Sequence, residues 1–253
     1  KARARAIYQK ACDSKLAAAC YALGIMFANG QGVPRDAKKA DALFKKGCAE
    51  GEASACYALA TTQANSDAGV QADPIKVRLN YEKACIWGHT QSCFEAGQMY
   101  ARGMGGRVDK VRARELYTLA CEKETHIDAC FNLGEMWELG EGGNRDQAKA
   151  RGYYKRLCEA KDPQGCYNLA QLASKGDESG GNIDKPLALT YYEKSCALGY
   201  MPGCYNQGVL LLGGEGGVVK DEPLARKLFL KACRQGIQRS CMHAGGDEDH
   251  KAP

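Results

Sequence analysis

The chain has 253 residues, 45% hydrophobic and 26% charged, so it is long enough to fold around a sizeable core and wholesale disorder is excluded. Its longest apolar runs, such as residues 209–212, fall far short of the ~20 residues that span a bilayer, so we expect no membrane insertion. The net charge of +5 is small and scattered, and we expect no nucleic-acid partner. Because the chain begins at Lys1 without a signal peptide, we expect a trimmed or mature product.

Fourteen cysteines divide the chain into repeats. They form seven pairs with a separation of eight residues, or nine in one pair, and the first cysteines of successive pairs lie 36 to 38 residues apart. A fixed period of this length indicates an array in which each unit buries its apolar face against its neighbours. The pairs are Cys12 and Cys20, Cys48 and Cys56, Cys85 and Cys93, Cys121 and Cys130, Cys158 and Cys166, Cys196 and Cys204, and Cys233 and Cys241.

In chain order, the first predicted element is a helix over residues 2–12, of the kind that we call helix B. A helix A follows it, with apolar positions at i, i+3, i+4 and i+7 around the second cysteine of the pair. Small residues in the middle of helix A cost helix propensity and indicate that a neighbouring helix approaches closely. An aromatic residue usually follows the second cysteine (Tyr21, Tyr57, Phe94, Phe131, Tyr167, Tyr205), and the small residue stands nearby (Gly24, Ala60, Gly97, Gly134, Ala170, Gly208).

Glycine-rich stretches such as residues 30–32 and 213–217 end helix A, and an aspartate then begins the next helix B. Aspartate caps a helix by accepting hydrogen bonds from its first turn, where the prolines at 74, 186 and 223 are also tolerated. Unit two lacks the Gly-x-Gly turn around residues 65–67, which predicts an irregular loop. The aspartates are Asp36, Asp73, Asp109, Asp146, Asp184 and Asp221, and the helix B aromatics are Phe44, Tyr81, Tyr117, Tyr154, Tyr192 and Phe229.

The array closes with a trailing helix A over about residues 238–245, and no stretch shows strand-like alternation. The predicted fold class is therefore an all-α solenoid of about six complete helix-turn-helix units, flanked by two terminal half-units. We assign residues 1–245 to one solenoid domain and residues 246–253 to a polar C-terminal tail.

The unit resembles the Sel-one-like repeat, a relative of the tetratricopeptide repeat. The residues that carry the match are Leu23-Gly24, Phe27, Gly30–Val33, Asp36, Ala40, Phe44 and Gly51, repeated with substitutions over residues 2–245. The paired cysteines resemble the cysteine-rich branch of that family, typified by the Helicobacter cysteine-rich proteins. The resemblance implies a right-handed α/α superhelix and a non-enzymatic scaffold that binds a protein or an extended peptide segment.

Each cysteine pair spans the short turn between one helix B and the next helix A, where antiparallel helices can bring Cα atoms within the ~5.5 Å of a disulfide. A structural zinc needs four ligands from close groups, and His89, His126, His243 and His250 are too few and too irregular to complete such sites. Buried free thiols do not explain the strict pairing. We therefore predict a disulfide in every hairpin, no metal, no cofactor, and an oxidising compartment, the bacterial periplasm or the secreted fraction.

The sequence offers no catalytic constellation. The motifs Ser-x-x-Lys and His-Glu-x-x-His are absent, and the glycine-rich loops lack a phosphate-binding pattern. Ser240 and His243 share one helical face without a third group to orient them, and we interpret them as an exposed polar pair. Because the cysteine-rich branch is linked to penicillin binding and β-lactam hydrolysis, a β-lactam-binding or β-lactamase-like protein is one alternative. A cell-wall glycan-binding module, with the aromatic column as stacking faces, is another.

One column of helix A has no packing explanation: two residues after the second cysteine stand asparagines in three units, although asparagine is a middling helix former. In tetratricopeptide-like repeats the corresponding stripe lines a concave groove, and an asparagine there binds peptide backbone amides; the resemblance implies the same here. The alternative is a solvated polar face or hydrogen bonding between neighbouring asparagines within the array. With neighbours three and seven residues further on, the predicted helix A stripe comprises Glu95, Gln98, Arg102, Asn132, Glu135, Asn168, Gln171, Lys175, Asn206 and His243.

Overall fold

The computed structural model describes residues 2–65, 73–124, 126–176 and 183–244, and within these ranges the chain is helical without a strand. The all-α prediction is therefore confirmed. The described helices, alternately of the B and A kind, are α1 (Ala2–Asp13), α2 (Ala17–Asn29), α3 (Ala37–Ala49), α4 (Ala53–Ala64), α5 (Pro74–Ile86), α6 (Thr90–Arg102), α7 (Lys110–Glu124), α8 (Ile127–Leu139), α9 (Gln147–Glu159), α10 (Pro163–Lys175), α11 (Lys185–Ala197), α12 (Met201–Gly213), α13 (Glu222–Arg234) and α14 (Gln238–His243).

The predicted aspartates begin the B helices. The carboxylate of Asp36 accepts a hydrogen bond from the backbone N–H of Lys39 at 3.0 Å, which satisfies an otherwise unpaired donor of the first turn of α3. The backbone N–H of Asp36 also donates to the carbonyl of Phe27 at 2.9 Å, so one residue ties the start of helix B to the end of helix A. The same carboxylate cap recurs at Asp73, Asp109, Asp146, Asp184 and Asp221.

These caps predict a loss of stability in acid. Hydrogen bonds lower the pKa of both Asp36 and Asp73. The largest contribution comes from the backbone N–H of Lys39 for Asp36 and from the side chain of Lys76 for Asp73. A carboxylate with a lowered folded pKa stabilises the protein above its unfolded pKa of about 3.9, and this contribution is lost as the pH falls through the folded pKa. We expect Asp36→Asn with Asp73→Asn to lower the melting temperature at neutral pH and to match the wild type in strong acid, measured by circular dichroism.

Asparagine is itself a good N-cap, so this pair of changes removes charge while keeping a cap. Glu193→Gln, on an exposed position of α11, is the matched control and should follow the wild-type curve at every pH. A deficit that persists unchanged in strong acid would contradict the explanation.

The small residues of helix A make room for the aromatic rings of helix B. A Cβ atom added at Gly24 would lie 2.5 Å from Cε1 of Phe44, and one added at Gly97 would lie 2.7 Å from Cε1 of Tyr117. These distances are too short for any side chain, which confirms the predicted close approach. The buried rings are Phe44, Tyr81, Tyr117, Tyr154, Tyr192 and Phe229.

All seven predicted disulfides are present and use all fourteen cysteines, with Cα–Cα distances between 4.5 and 4.9 Å. Backbones this close leave little room beside the bridge: a Cβ at Gly203 would lie 3.1 Å from the backbone nitrogen of Cys196. The position before each second cysteine is accordingly small and buried, a column that the sequence analysis missed. It consists of Ala19, Ala55, Ser92, Ala129, Gly165, Gly203 and Ser240.

The chain forms two compact units, one of residues 1–136 with 140–144 and the other of residues 137–139 with 145–253. In the first unit each helix packs against the next from α1 to α7, and in the second from α9 to α14. Superhelical handedness and the single-domain assignment of residues 1–245 stay predictions. The unit-two loop beyond residue 65 and the tail of residues 246–253 lie outside the described residues.

Candidate functional site

In the first unit three residues of the helix A stripe, Glu95, Arg102 and Asn132, act on the pKa of Tyr117. Burial raises the pKa of Tyr117, a hydrogen bond with the Asn132 side chain lowers it in part, and the charges of Arg102 and Glu95 act on it with opposite sign. Glu95 and Asn132 are half-buried, whereas Arg102 is exposed. The stripe is therefore a polar surface that extends over a buried tyrosine of α7.

Two further stripe residues of this unit lie on the same helices. Gln98 is half-buried on α6, and Glu135 is exposed on α8. Their exposure leaves both side chains accessible to solvent, as a ligand-contacting role requires.

A histidine that the sequence analysis considered only as a metal ligand helps to position Glu95. The Nδ1 atom of His126 accepts the backbone N–H of Ala129 at 3.3 Å and so caps α8. Its Nε2 atom lies 2.9 Å from Oε1 of Gln91, and Nε2 of Gln91 donates to Oε1 of Glu95 at 2.8 Å. The His126 ring also stacks on Phe94, with centroids 4.5 Å apart. Across the described residues no cluster of three or more potential metal ligands occurs.

His89 plays the same part at the start of α6. Its Nδ1 atom accepts the backbone N–H of Ser92 at 3.3 Å, and its ring stacks on Tyr57 with centroids 4.3 Å apart. The sequence signal for this role was available, because Glu52 and Asp162 cap α4 and α10 from the equivalent position four residues before the second cysteine.

Neither Ser–His pair forms an accessible catalytic dyad. Ser92 Oγ lies 2.9 Å from His89 Nδ1, a pair that the sequence analysis overlooked, but Ser92 is fully buried. The prediction that Ser240 and His243 form an exposed polar pair is wrong for the serine, which is fully buried beside the last disulfide with its hydroxyl unpartnered among the described residues. His243 is exposed, and its ring centroid lies 5.1 Å from that of Phe229.

In the second unit Asn206 also contacts tyrosines. Its Nδ2 atom donates to the hydroxyl of Tyr167 at 3.3 Å, and its side chain also lowers the pKa of Tyr192, which burial raises. Of the three asparagines, Asn206 hydrogen-bonds to a tyrosine and Asn132 lies near one, whereas the alternative that the sequence left open had neighbouring asparagines bonding to each other. The third, Asn168, is half-buried.

The remaining stripe residues of this unit lie near the end of α10. Nζ of Lys175 donates to Oε1 of Gln171 at 3.1 Å. This is a pair at i and i+4 on an exposed helix face, which contributes little to stability and is free to exchange partners.

A hollow of about 410 Å³ opens beside Asn206. The rings of Tyr167 and Tyr205 give it an aromatic wall, and Arg239, exposed at its rim, forms no ion pair with any residue that the structure describes. Such a hollow accepts an apolar side chain and places a cation next to it. Its full lining is Tyr167, Pro202, Tyr205, Asn206, Gly236, Ile237, Gln238 and Arg239.

The helical unit matches the model of the Sel1 repeat six times, over residues 17–52, 53–87, 90–124, 127–162, 163–200 and 202–237. These matches confirm the six predicted units, each made of one helix A and the following helix B. A search of curated proteins gives no significant match.

Two solved structures share this fold, and a third is similar in sequence. A protective antigen of uropathogenic Escherichia coli with an SLR fold is 26% identical, has a TM-score of 0.81 and covers 94% of this chain, which spans 50% of that protein. A Sel1 repeat protein of Oxalobacter formigenes is 23% identical, with a TM-score of 0.62 over 86% of this chain and 85% of its own. Cysteine rich protein B of Helicobacter pylori is 28% identical, with a TM-score of 0.38 over 60% of this chain and 95% of its own.

Proposed function

The chain belongs to the Sel1 repeat family, a scaffold family commonly used in protein interaction, and on this premise we propose that it binds an extended protein segment along the helix A stripe. The observation that carries the proposal is the hollow beside Asn206. There a stripe residue, two aromatic rings and Arg239, which has no ion-pair partner in the described part of the chain, meet at one opening. The amide of Asn206 offers both donor and acceptor groups, so it suits a peptide backbone of any sequence. The helix A surface is the one that the family resemblance predicts to be concave.

The remaining stripe residues supply charge around this backbone contact. Glu95, Glu135, Arg102 and Lys175 carry charges of both signs, which favours a partner of mixed charge over a strongly acidic or basic one. The β-lactam alternative gains no support from the two Ser–His pairs, because both serines are buried. The glycan alternative gains none from Tyr57, whose ring is stacked on His89.

The location follows from the disulfides. Seven bridges suggest an oxidising compartment outside the cytoplasm, because such bonds persist where thiols are not kept reduced. We propose the bacterial periplasm or the secreted fraction. Among the described helices, none has the length and apolarity to cross a membrane.

The proposal predicts that Asn168→Ala with Asn206→Ala weakens peptide binding about tenfold, a loss of roughly 1.4 kcal/mol. The probe is a peptide selected from a random displayed library on the wild-type protein, and its affinity is measured by calorimetry. Unfolding free energy should change by only about 1 kcal/mol, since the Asn206–Tyr167 hydrogen bond is half-buried.

The matched control is Asn80→Ala with Asn144→Ala, because Asn80 lies on α5, a B helix, and Asn144 lies in the loop between α8 and α9, both outside the helix A stripe. It should keep wild-type affinity. Equal affinities of the stripe variant, the control and the wild type would reject the helix A stripe as the binding surface.

A further inference from the structure

The exposed face of α13 is strongly basic. Lys227, Lys231 and Arg234 are all exposed, and their spacing of four and three residues places them on one side of the helix, which we call the basic face. They line a second hollow of about 320 Å³, together with the apolar side chains of Met201 and Leu230 and with Gln235.

The equivalent positions of the other B helices distinguish a cation with a structural role from cations that are specific to α13. The position of Lys231 is basic in six of the seven B helices, and Nζ of Lys231 donates to the carbonyl of Cys196 at 3.3 Å, a structural contact. The other two cations have no basic counterpart in any earlier unit. Lys227 corresponds to Ala42, Leu79, Glu115, Gly152 and Thr190, and Arg234 corresponds to Ala49, Ile86, Glu122, Glu159 and Ala197.

These two cations are also unneutralised. Some other surface cations meet carboxylates, as Lys110 does Glu141 at 2.8 Å and Lys185 does Glu215 at 3.1 Å. Within the described residues neither Lys227 nor Arg234 pairs with a carboxylate. Unpaired cations around an apolar hollow complement a ligand that carries both negative charge and an apolar group.

We propose that the basic face is a second docking surface, for an acidic peptide segment with an apolar side chain. Carboxylates of the segment pair with Lys227 and Arg234, and its apolar side chain fills the hollow between Met201 and Leu230. A nucleic acid fits less well, because its backbone offers no apolar group for that hollow and three cations neutralise few phosphates. This surface is independent of the helix A stripe, so either site can fail without the other.

The test uses a fluorescein-labelled peptide of alternating glutamate and leucine, with fluorescence anisotropy as readout. Lys227→Glu with Arg234→Glu is expected to weaken binding by more than about tenfold, and Lys227→Ala with Arg234→Ala by a smaller factor. Lys38→Glu with Arg107→Glu makes the same change of net charge at exposed sites in the other compact unit and is expected to bind like the wild type. Thermal unfolding of each variant verifies its fold.

Two results would overturn the proposal. One is equal weakening by the basic-face and control variants, which would indicate general charge attraction. The other is tighter binding of a labelled single-stranded oligonucleotide than of the peptide, with the same dependence on Lys227 and Arg234. A peptide in which glutamine replaces every glutamate should lose binding. The variant Asn168→Ala with Asn206→Ala should bind the acidic peptide with wild-type affinity, which distinguishes the basic face from the helix A stripe.

Discussion

Reduction of all seven disulfides is expected to unfold the chain at about 37 °C. Each bridge closes a loop between cysteines only eight or nine residues apart, and on the chain-entropy model such a loop stabilises by roughly 2.5 kcal/mol. Seven contributions of this size, even when strongly non-additive, rival the whole stability of a typical domain, about 5–15 kcal/mol. Far-UV circular dichroism with and without reductant measures the effect as a loss of helical signal.

Removal of a single disulfide is expected to destabilise the protein to a degree that depends on its position. Cys158→Ala with Cys166→Ala removes a bridge between α9 and α10, and Cys233→Ala with Cys241→Ala removes the last bridge. The second pair of substitutions should lower the free energy of unfolding less, because the helix that the last bridge attaches, α14, has only six residues. If the fully reduced protein melted like the oxidised one, helix packing alone would hold the array, and the argument for an oxidising compartment would lose its basis.

The features that the sequence predicted correctly are local ones. A cysteine pair across a short turn, an aspartate at the start of helix B and a small residue opposite an aromatic ring each depend on a few neighbouring positions. Repetition then made each pattern visible six or seven times. The Asp36 cap and the Gly97–Tyr117 contact were therefore predictable without any knowledge of how the units pack.

The features that it missed depend on contacts between units. Asn206 of α12 reaches the hydroxyl of Tyr167 on α10, 39 residues earlier, so this bond joins two consecutive A helices. His126 caps its own helix but is held by Gln91 of the preceding helix A. Ser240 looked exposed because it lies in the last half-unit, yet it fills the small position that the disulfide geometry requires.

Gly97→Leu is expected to destabilise the protein by about 3 kcal/mol, close to the upper end of ordinary overpacking. The ring of Tyr117 faces Gly97 and is only 3% exposed, so the ring has no solvent into which it can move. A leucine would have to push α6 and α7 apart. Urea unfolding measures the change.

The alanine substitution isolates the steric cause, because Gly→Ala in a helix otherwise gains up to about 1 kcal/mol from helix propensity. Gly97→Ala should still destabilise, since its Cβ would lie 2.7 Å from Cε1 of Tyr117. Gly152→Ala, in the exposed middle of α9 with no atom within 4 Å of the added Cβ, should stabilise by about 0.5–1 kcal/mol. Opposite signs at the two glycines would establish that ring-against-backbone contact positions helix A on helix B, and equal signs would refute it.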